Sequence, residues 1–328
     1  MPSAFRLLPV PFSRLLRIVV AAVLVALVFY QVHPSDVLRD AAGADLRWIG
    51  LAVALVLVDR TLMALRWIDL LAALTPGSRP RFPIVLRIFF VSSFVSNFVP
   101  SVAADLYRAY ALARHDVRLA ESTASVLMDR VLGVLSMVIV GACALPFVRG
   151  IAIPPGVGAG LGLASLGCVV AAIVVFSERA GVAILRTVNA VPIARLRRVS
   201  SALTEAVRRY ANHHAALTRV LVMSVIVQGI RVLQAWCLGE ALGIELPLLT
   251  YFALVPVILM IMQLPITPNG LGTTQVAFVA FFGASGAPAP PVIALSVLFL
   301  VLGVAGSLPG GVLYALGSAE RPGAPVAP

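Results

Sequence analysis

The chain has 328 residues, of which 60% are hydrophobic and only 12% are charged, and its mean hydropathy is +1.02. Because an ordinary soluble domain carries about 25% charged residues, this composition excludes a soluble enzyme and predicts a membrane protein. The formal net charge of +11 comes from 25 basic residues, all arginine, and these lie beside or inside apolar runs. That placement indicates membrane orientation and predicts no nucleic-acid partner.

The apolar runs have the length of helices. Residues 15–32 and 292–316 approach the roughly 20 residues that a spanning helix needs, whereas barrel strands alternate over about 10. The sequence therefore predicts an all-α polytopic bundle, one transmembrane domain over residues 1–328, with about seven spanning helices and two short interrupted or re-entrant segments. The apolar segments are 15–32, 46–74, 84–99, 126–147, 156–176, 217–243, 248–265, 270–283 and 291–316.

The first segment, 15–32, resembles a signal peptide because Arg6 and Arg14 precede it and Arg17 lies at its start, but it has no small-residue cleavage site. We expect it to remain as the first spanning helix. The loop after it is nearly neutral, whereas the loop after 46–74 carries Arg79, Arg81 and Arg87. The positive-inside rule then places the N-terminus and the second loop on the cytoplasmic side of a bacterial inner membrane.

The second segment contains ionisable residues at membrane depth, each of which is a functional hypothesis because burying charge in lipid is costly. Asp59 and Arg60 lie near its middle, and Arg66 follows Asp59 by two turns on the same face. For Arg66 and Asp69, which lie near the cytoplasmic end, pairing with each other and snorkelling is the alternative interpretation.

The third segment, 84–99, is too short to span and is flanked by arginines on both sides. This pattern predicts a re-entrant hairpin, whose irregular backbone at Asn97 and Pro100 requires surrounding protein or a water-filled cavity. A thin or tilted spanning helix is the alternative.

The region 177–219 carries eight arginines against two glutamates, and apolar residues recur in it at spacings of three or four. We interpret it as a cytoplasmic loop that forms an amphipathic helix on an anionic membrane surface, with a solvated connector as the alternative. The tail 317–328 is short, flexible and unable to hold a catalytic domain.

Arg231 lies between Gln228 and Gln234 in the apolar segment 217–243. An arginine there can bind a lipid phosphate in a bidentate manner. The alternative is a salt bridge to an acid such as Asp59 or Asp129.

Two interrupted segments share a design. Residues 96–101 and 265–272 each join an apolar run to a turn rich in Asn, Pro or Gly, which is the pattern of a transporter binding site. Helix N-termini at such turns favour anions, and a pair of structural kinks is the alternative. The candidate site residues for a lipid headgroup are Asn97, Pro100, Asp105, Arg108, Asp129, Arg130, Asn269, Gly270, Gly272 and Gln275.

Other chemistry finds little support in the sequence. The three cysteines and four histidines lack metal-ligand spacing. Paired catalytic carboxylates, a histidine-based acid–base group and a glycine-rich nucleotide loop are also missing from the sequence. We therefore expect no metal, no cofactor and no enzymatic activity.

Residues 97–108 and 125–133 resemble the pattern Asn-x-x-Pro, Gly-Gly-Asp-x-x-Arg, Ser-Val-x-x-(Asp/Glu)-Arg-x-x-Gly of a flippase-like family. That family is related to the lysylphosphatidylglycerol synthase transmembrane region, and residues 66–67, 264–272 and 307–311 resemble its other marks. Two departures concern function. Ala103-Ala104 replaces the Gly-Gly pair that precedes the Asp in the family. Gln275 stands where the family commonly has a Glu after the second Gly-rich turn, and the loss of that charge argues against a proton-relay or cation-binding role there.

The resemblance implies a protein that moves or handles a membrane lipid and lacks the soluble lysine-transfer domain of two-domain relatives. The expected partners are an anionic phospholipid, a glycolipid or an isoprenoid lipid, together with a lipid-biosynthetic enzyme. The alternative functions are an enzyme or accessory of a glycosyl- or acyl-transfer system, and a lipid-binding scaffold that does not transport.

Overall fold

A computed structural model describes most of the chain from residue 43 to residue 315. The predicted first helix at 15–32, most of the predicted helix at 156–176 and the tail 317–328 lie outside the described residues. The described ranges are 43–75, 81–99, 101–115, 117–144, 146, 166–167, 169–189, 194–263 and 272–315, and within them the side chains at 101–102, 178 and 185–199 are left out.

Helices are the only regular secondary structure in the described part of the chain. The helices with defined bounds are α1 (Leu46–Leu74), α2 (Phe82–Val95), α3 (Ser101–Ala113), α4 (Leu119–Ala144), α5 (Glu178–Asn189), α6 (Ala194–Tyr210), α7 (His214–Ala241), α8 (Leu248–Met262), α9 (Thr273–Ala284), α10 (Ala289–Ala305) and α11 (Leu308–Ala315). The described part of the predicted segment 156–176, residues 166–167 and 169–176, is also helical.

Four spans in the described ranges are long and apolar enough to cross a membrane. They are α1, α4, α7, and α10 continued by α11. Three further apolar helices, α2, α8 and α9, are shorter. These lengths confirm the prediction of an all-α polytopic membrane protein, because a span needs about 20 apolar residues.

Helices α1 and α7 pack as an antiparallel pair. At one end the backbone N–H of Asp45 donates to the carbonyl of Ala241 at 3.1 Å. At the other end Arg219 of α7 pairs with Asp69 of α1 at 2.5 Å, and the Tyr210 hydroxyl of α6 donates to the Leu70 carbonyl at 2.8 Å. We call the end with Asp69 and Arg219 the basic end.

The arginine-rich region thus lies at the same end of the bundle as the C-terminus of α1. The predicted amphipathic helix exists as α6, and its residues Val207 and Tyr210 are buried in a cluster with Leu70, Met128 and Leu217. Its apolar face therefore packs against protein. Burial raises the pKa of Tyr210, which keeps its hydroxyl a neutral donor.

Helices α2 and α3 form the first hairpin, Phe82–Ala113. The guanidinium carbon of Arg108 on α3 lies 5.3 Å from the centroid of the Phe89 ring on α2, so the two helices pack side by side. Because α2 follows the C-terminal end of α1, this hairpin opens at the basic end. Its tip is fixed by Asn97, whose Nδ2 donates to Ser307 Oγ at 2.7 Å in the turn between α10 and α11.

The second hairpin consists of α8 (Leu248–Met262) and α9 (Thr273–Ala284). The ring of Tyr251, near the start of α8, lies 5.0 Å from that of Phe282, near the end of α9, so the two helices are antiparallel. Because α8 follows the C-terminal end of α7, the second hairpin opens at the end opposite to the basic end.

The two halves of the bundle have the same order of helices in opposite orientations, because their hairpins open at opposite ends. Each hairpin lies in sequence between two long helices: α1 and α4 flank the first, and α7 and α10 flank the second. Each hairpin also packs against the other half: the second against α4, and the first against α11. A β-carbon on Gly141 of α4 would lie 3.5 Å from Pro256 of α8, and Gly310 of α11 lies directly against the Phe90 carbonyl of α2. Glycine is required at 310 because any side chain there would meet backbone.

Candidate functional site

Asp129 on α4 is the centre of a buried charged cluster beside the first hairpin. One carboxylate oxygen, Oδ1, accepts a hydrogen bond from Arg66 Nε of α1 at 2.8 Å. The other, Oδ2, lies 3.6 Å from Arg108 NH1 of α3. Arg66 and Asp129 are 3% and 4% exposed, so neither charge is screened by water. One carboxylate is therefore shared between two arginines from two helices.

Arg66 is fully engaged. Besides its contact with Asp129, its NH1 donates to Ser224 Oγ of α7 at 2.9 Å, and its NH2 lies 2.8 Å from Asp129 Oδ1. The side chain therefore ties α1, α4 and α7 together. Pairing of Arg66 with Asp69 is wrong as an interpretation: Asp69 instead pairs with Arg219 at the basic end, because long-range packing of α7 on α1 brings a closer partner than the same helix does.

Arg108 has the opposite character, since most of its hydrogen-bonding capacity is unused. Its guanidinium carbon lies 4.2 Å from the Trp67 ring centroid and 5.3 Å from that of Phe89, and cation–π attraction to these faces stabilises it. Its Nε and NH2 are buried and have no partner among the described residues. These two donors belong to the planar fork that suits a carboxylate or phosphate.

The aromatic support of Arg108 is itself fixed. Trp67 is fully buried, and its indole N–H donates to Ser125 Oγ of α4 at 3.2 Å. Ser122 Oγ, one turn earlier, donates to the Ala109 carbonyl of α3 at 3.0 Å. The Trp67 bond therefore joins α1 to α4, and the Ser122 bond joins the first hairpin to α4 at the residue next to Arg108.

Asp105 and Arg130, both predicted site residues, form an ion pair with each other next to the cluster. Their side chains are 18% and 35% exposed. The pair bridges α3 and α4 and leaves neither charge free for a ligand in this arrangement.

A second buried pair lies deeper between α1 and α7. Arg231 Nε donates to Asp59 Oδ1 at 3.0 Å, and its NH2 lies 2.7 Å from Met63 Sδ. The sequence predicts that Arg231 binds either a lipid phosphate or an acidic side chain. In the structure it forms the salt bridge, and its partner is Asp59.

Arg60 has no carboxylate within ion-pair distance in the described part of the chain. Its NH2 donates to the Gly303 carbonyl of α10 at 2.9 Å, and its Nε is buried without a partner. Space for it comes from Gly306, where a β-carbon would lie 3.2 Å from that Nε. Since Ser307 follows directly, Arg60 lies beside the tip of the first hairpin.

The second hairpin repeats the backbone plan without the charge. Gly272 has φ +81°, and its N–H donates to Gln275 Oε1 at 2.7 Å, so Gln275 caps the first turn of α9. Helices α8 and α9 contain no ionisable carboxylate or guanidinium group. Pro100, Asn269 and Gly270, which were also predicted as site residues, lie outside the described residues.

Reasoning from sequence missed the uncharged supports of this cluster. Phe89, Ser125 and Ser224 carry no signal of their own in apolar helices, because their roles depend on partners 19 to 158 residues away in the chain. In the sequence Ser224 is only a small hydroxyl residue inside an apolar run, and this does not indicate which helix supplies its partner.

The family model of the lysylphosphatidylglycerol synthase TM region matches residues 14–310. The chain belongs to this family. A search of curated proteins finds no match. Membership of the lysylphosphatidylglycerol synthase TM family makes the chain a multi-pass membrane protein related to lipid modification, and the matched region is the transmembrane one.

Proposed function

We propose that this member of the family is a lipid translocase that carries the polar headgroup of a membrane lipid past Arg108. The observation that supports this most is the buried Arg108 guanidinium with two donors free. Burying an arginine in a membrane costs about 2.5 to 3.5 kcal/mol on insertion scales, and Arg108 has only a carboxylate that it shares with Arg66 to offset this cost. A bound phosphate would satisfy both donors in a bidentate geometry.

The path follows from the two hairpins. The first opens at the basic end. The positive-inside rule assigns this end, like the N-terminus, to the cytoplasmic side of an inner membrane. The second opens at the opposite end, and both enter the bundle as re-entrant segments. Paired interrupted segments of inverted orientation are typical of transporters whose substrate site lies near the bilayer midplane.

A second candidate is an accessory of a lipid-modifying transferase, which holds the lipid at the same arginine without moving it. The family's description as part of a synthase favours it. Binding at Arg108 is common to both candidates, and only movement between leaflets distinguishes them.

Reconstitution into liposomes tests the proposal. Candidate lipids with a fluorescent label are placed in both leaflets, and a membrane-impermeant reductant reports the fraction that reaches the outer leaflet. We expect wild type to equilibrate at least one labelled lipid, and Arg108→Lys to lose at least nine-tenths of that rate, because the ammonium cannot make the bidentate contact.

The matched control is Arg118→Lys, since this side chain is 85% exposed just beyond the first hairpin. It should keep the wild-type rate. Arg130→Lys should have an intermediate effect, because Arg130 is paired with Asp105. Wild-type liposomes that move no lipid faster than protein-free liposomes would contradict translocation, and full activity of Arg108→Lys would contradict the role of Arg108.

A further inference from the structure

The buried charged cluster and the ionisable side chains nearest to it carry more positive than negative charge. This set has five arginines and three aspartates on α1, α3, α4 and α7, so its formal charges sum to +2. The arginines are Arg60, Arg66, Arg108, Arg130 and Arg231, and the aspartates are Asp59, Asp105 and Asp129.

The excess charge is located at two arginines. Arg108 must share Asp129 with Arg66, which holds that carboxylate at the shorter distance of 2.8 Å against 3.6 Å. Among the described residues, Arg60 has a hydrogen bond to the Gly303 carbonyl and no ion pair. These same two side chains have buried donors without partners, so unpaired charge and free hydrogen-bonding groups coincide.

The three aspartates, by contrast, are all occupied. Asp59 is bound by Arg231, Asp105 by Arg130, and Asp129 by two arginines. An amine that entered this cluster would meet no free carboxylate and would be repelled by two cations at low dielectric, where Coulomb interactions are strong. The second hairpin offers no acid to receive it either.

Resting on the proposed function, we infer that the lipid handled at this site carries a phosphate with no compensating amine, and that Arg108 and Arg60 are its two successive anchors. Arg108 holds the phosphate within the first hairpin. Arg60, beside Asn97 and Ser307 at the tip, receives it deeper in the bundle. Zwitterionic, aminoacylated and uncharged headgroups are thereby disfavoured, because each lacks the net negative charge that the cluster requires.

Competition binding to the purified full-length chain in nanodiscs of neutral lipid tests this. The probe is fluorescent phosphatidylglycerol, and the competitors are phosphatidylglycerol, undecaprenyl phosphate, phosphatidylcholine, lysylphosphatidylglycerol and a diacylglycerol glucoside. We expect at least one of the two anionic lipids to compete ten times better than the other three. Which one does so identifies the source of the phosphate.

Variants locate the anchors. Arg108→Gln and Arg60→Gln should each reduce the preference for the anionic lipid at least fivefold, whereas the exposed control Arg118→Gln should leave it unchanged. If either variant fails to fold, the wild-type competition series decides the inference by itself.

The outcomes separate this inference from translocation. Equal competition by all five lipids, or stronger competition by lysylphosphatidylglycerol, would overturn it even if lipid still moves between leaflets. Selective binding of an anionic lipid without movement would overturn the proposed translocation and support the inference. Selective binding that is insensitive to both Arg60→Gln and Arg108→Gln would overturn the assignment of the anchors.

Discussion

The two hairpins have one backbone plan and two different interiors. The first places Arg108 between Trp67 and Phe89, next to Asp129, with unpaired donors at its centre. The second packs rings against rings: Phe278 lies 5.4 Å from Phe282 and 5.8 Å from Phe299 between centroids. Aromatic pairs of this kind add about 0.5 to 1.5 kcal/mol each beyond area burial.

This difference indicates that the two hairpins have different roles. The ring-packed interior has no charge to neutralise, although the hydroxyls of Tyr251 and Thr274 are buried there without a partner among the described residues. The second hairpin is therefore expected to act as a stable counterpart. A charged interior with free donors is satisfied only when something binds, so the first hairpin is expected to change on binding. If this comparison is right, perturbations of the two hairpins should differ in kind.

Cysteine accessibility gives the largest expected effect, because it is all or none. In a background without the three native cysteines, Arg81→Cys and Arg114→Cys flank the first hairpin, and Glu245→Cys and Ala289→Cys flank the second. We expect an impermeant maleimide to label the second pair in intact spheroplasts, and the first pair only after the membrane is opened. Labelling of residues 81 and 114 from different sides would show that 82–113 spans the membrane.

Asp129→Asn should have the largest effect on stability. It leaves Arg66 and Arg108 buried without a carboxylate, and breaking a buried ion pair from one side costs about 3 to 5 kcal/mol. The measurement is thermal or denaturant unfolding in detergent. The control is Asp69→Asn, which breaks a pair whose arginine is 60% exposed and should cost at most about 1 kcal/mol. Similar losses for both would mean that the cluster around Asp129 is well hydrated.

Glycine substitutions should give smaller effects and compare the packing of the halves. Gly310→Ala places a β-carbon against the backbone of Phe90, and Gly239→Ala places one against the hydroxyl end of Tyr251. We expect about 1 to 3 kcal/mol of overpacking cost, larger at Gly310 because backbone moves less readily than a side chain. Gly283→Ala, which has nothing within 4 Å of the new carbon, should not destabilise. Equal stability of all three would contradict the close packing.

The sequence predicted the long elements well because their signal is local. The segment expected at 46–74 is the helix Leu46–Leu74, and the short charged-flanked segment is the first hairpin's α2. Side-chain partners were harder. Arg66 has an acid three residues away on its own helix, yet it pairs with Asp129, 63 residues distant. Local spacing cannot report which helices become neighbours, and pairing in a bundle is decided by those neighbours.

The break at Gly306–Ser307 divides the last span between the two halves. Helix α10 contacts the second hairpin through Phe299, while α11 lies against α2 through Gly310 and Gly311. The span therefore has a joint between two packing partners: α11 packs against the first hairpin, and α10 packs against the second. Ser307 accepts the hydrogen bond from Asn97, and Gly306 lies against Arg60. A displacement of the first hairpin by a headgroup would therefore act directly on this joint.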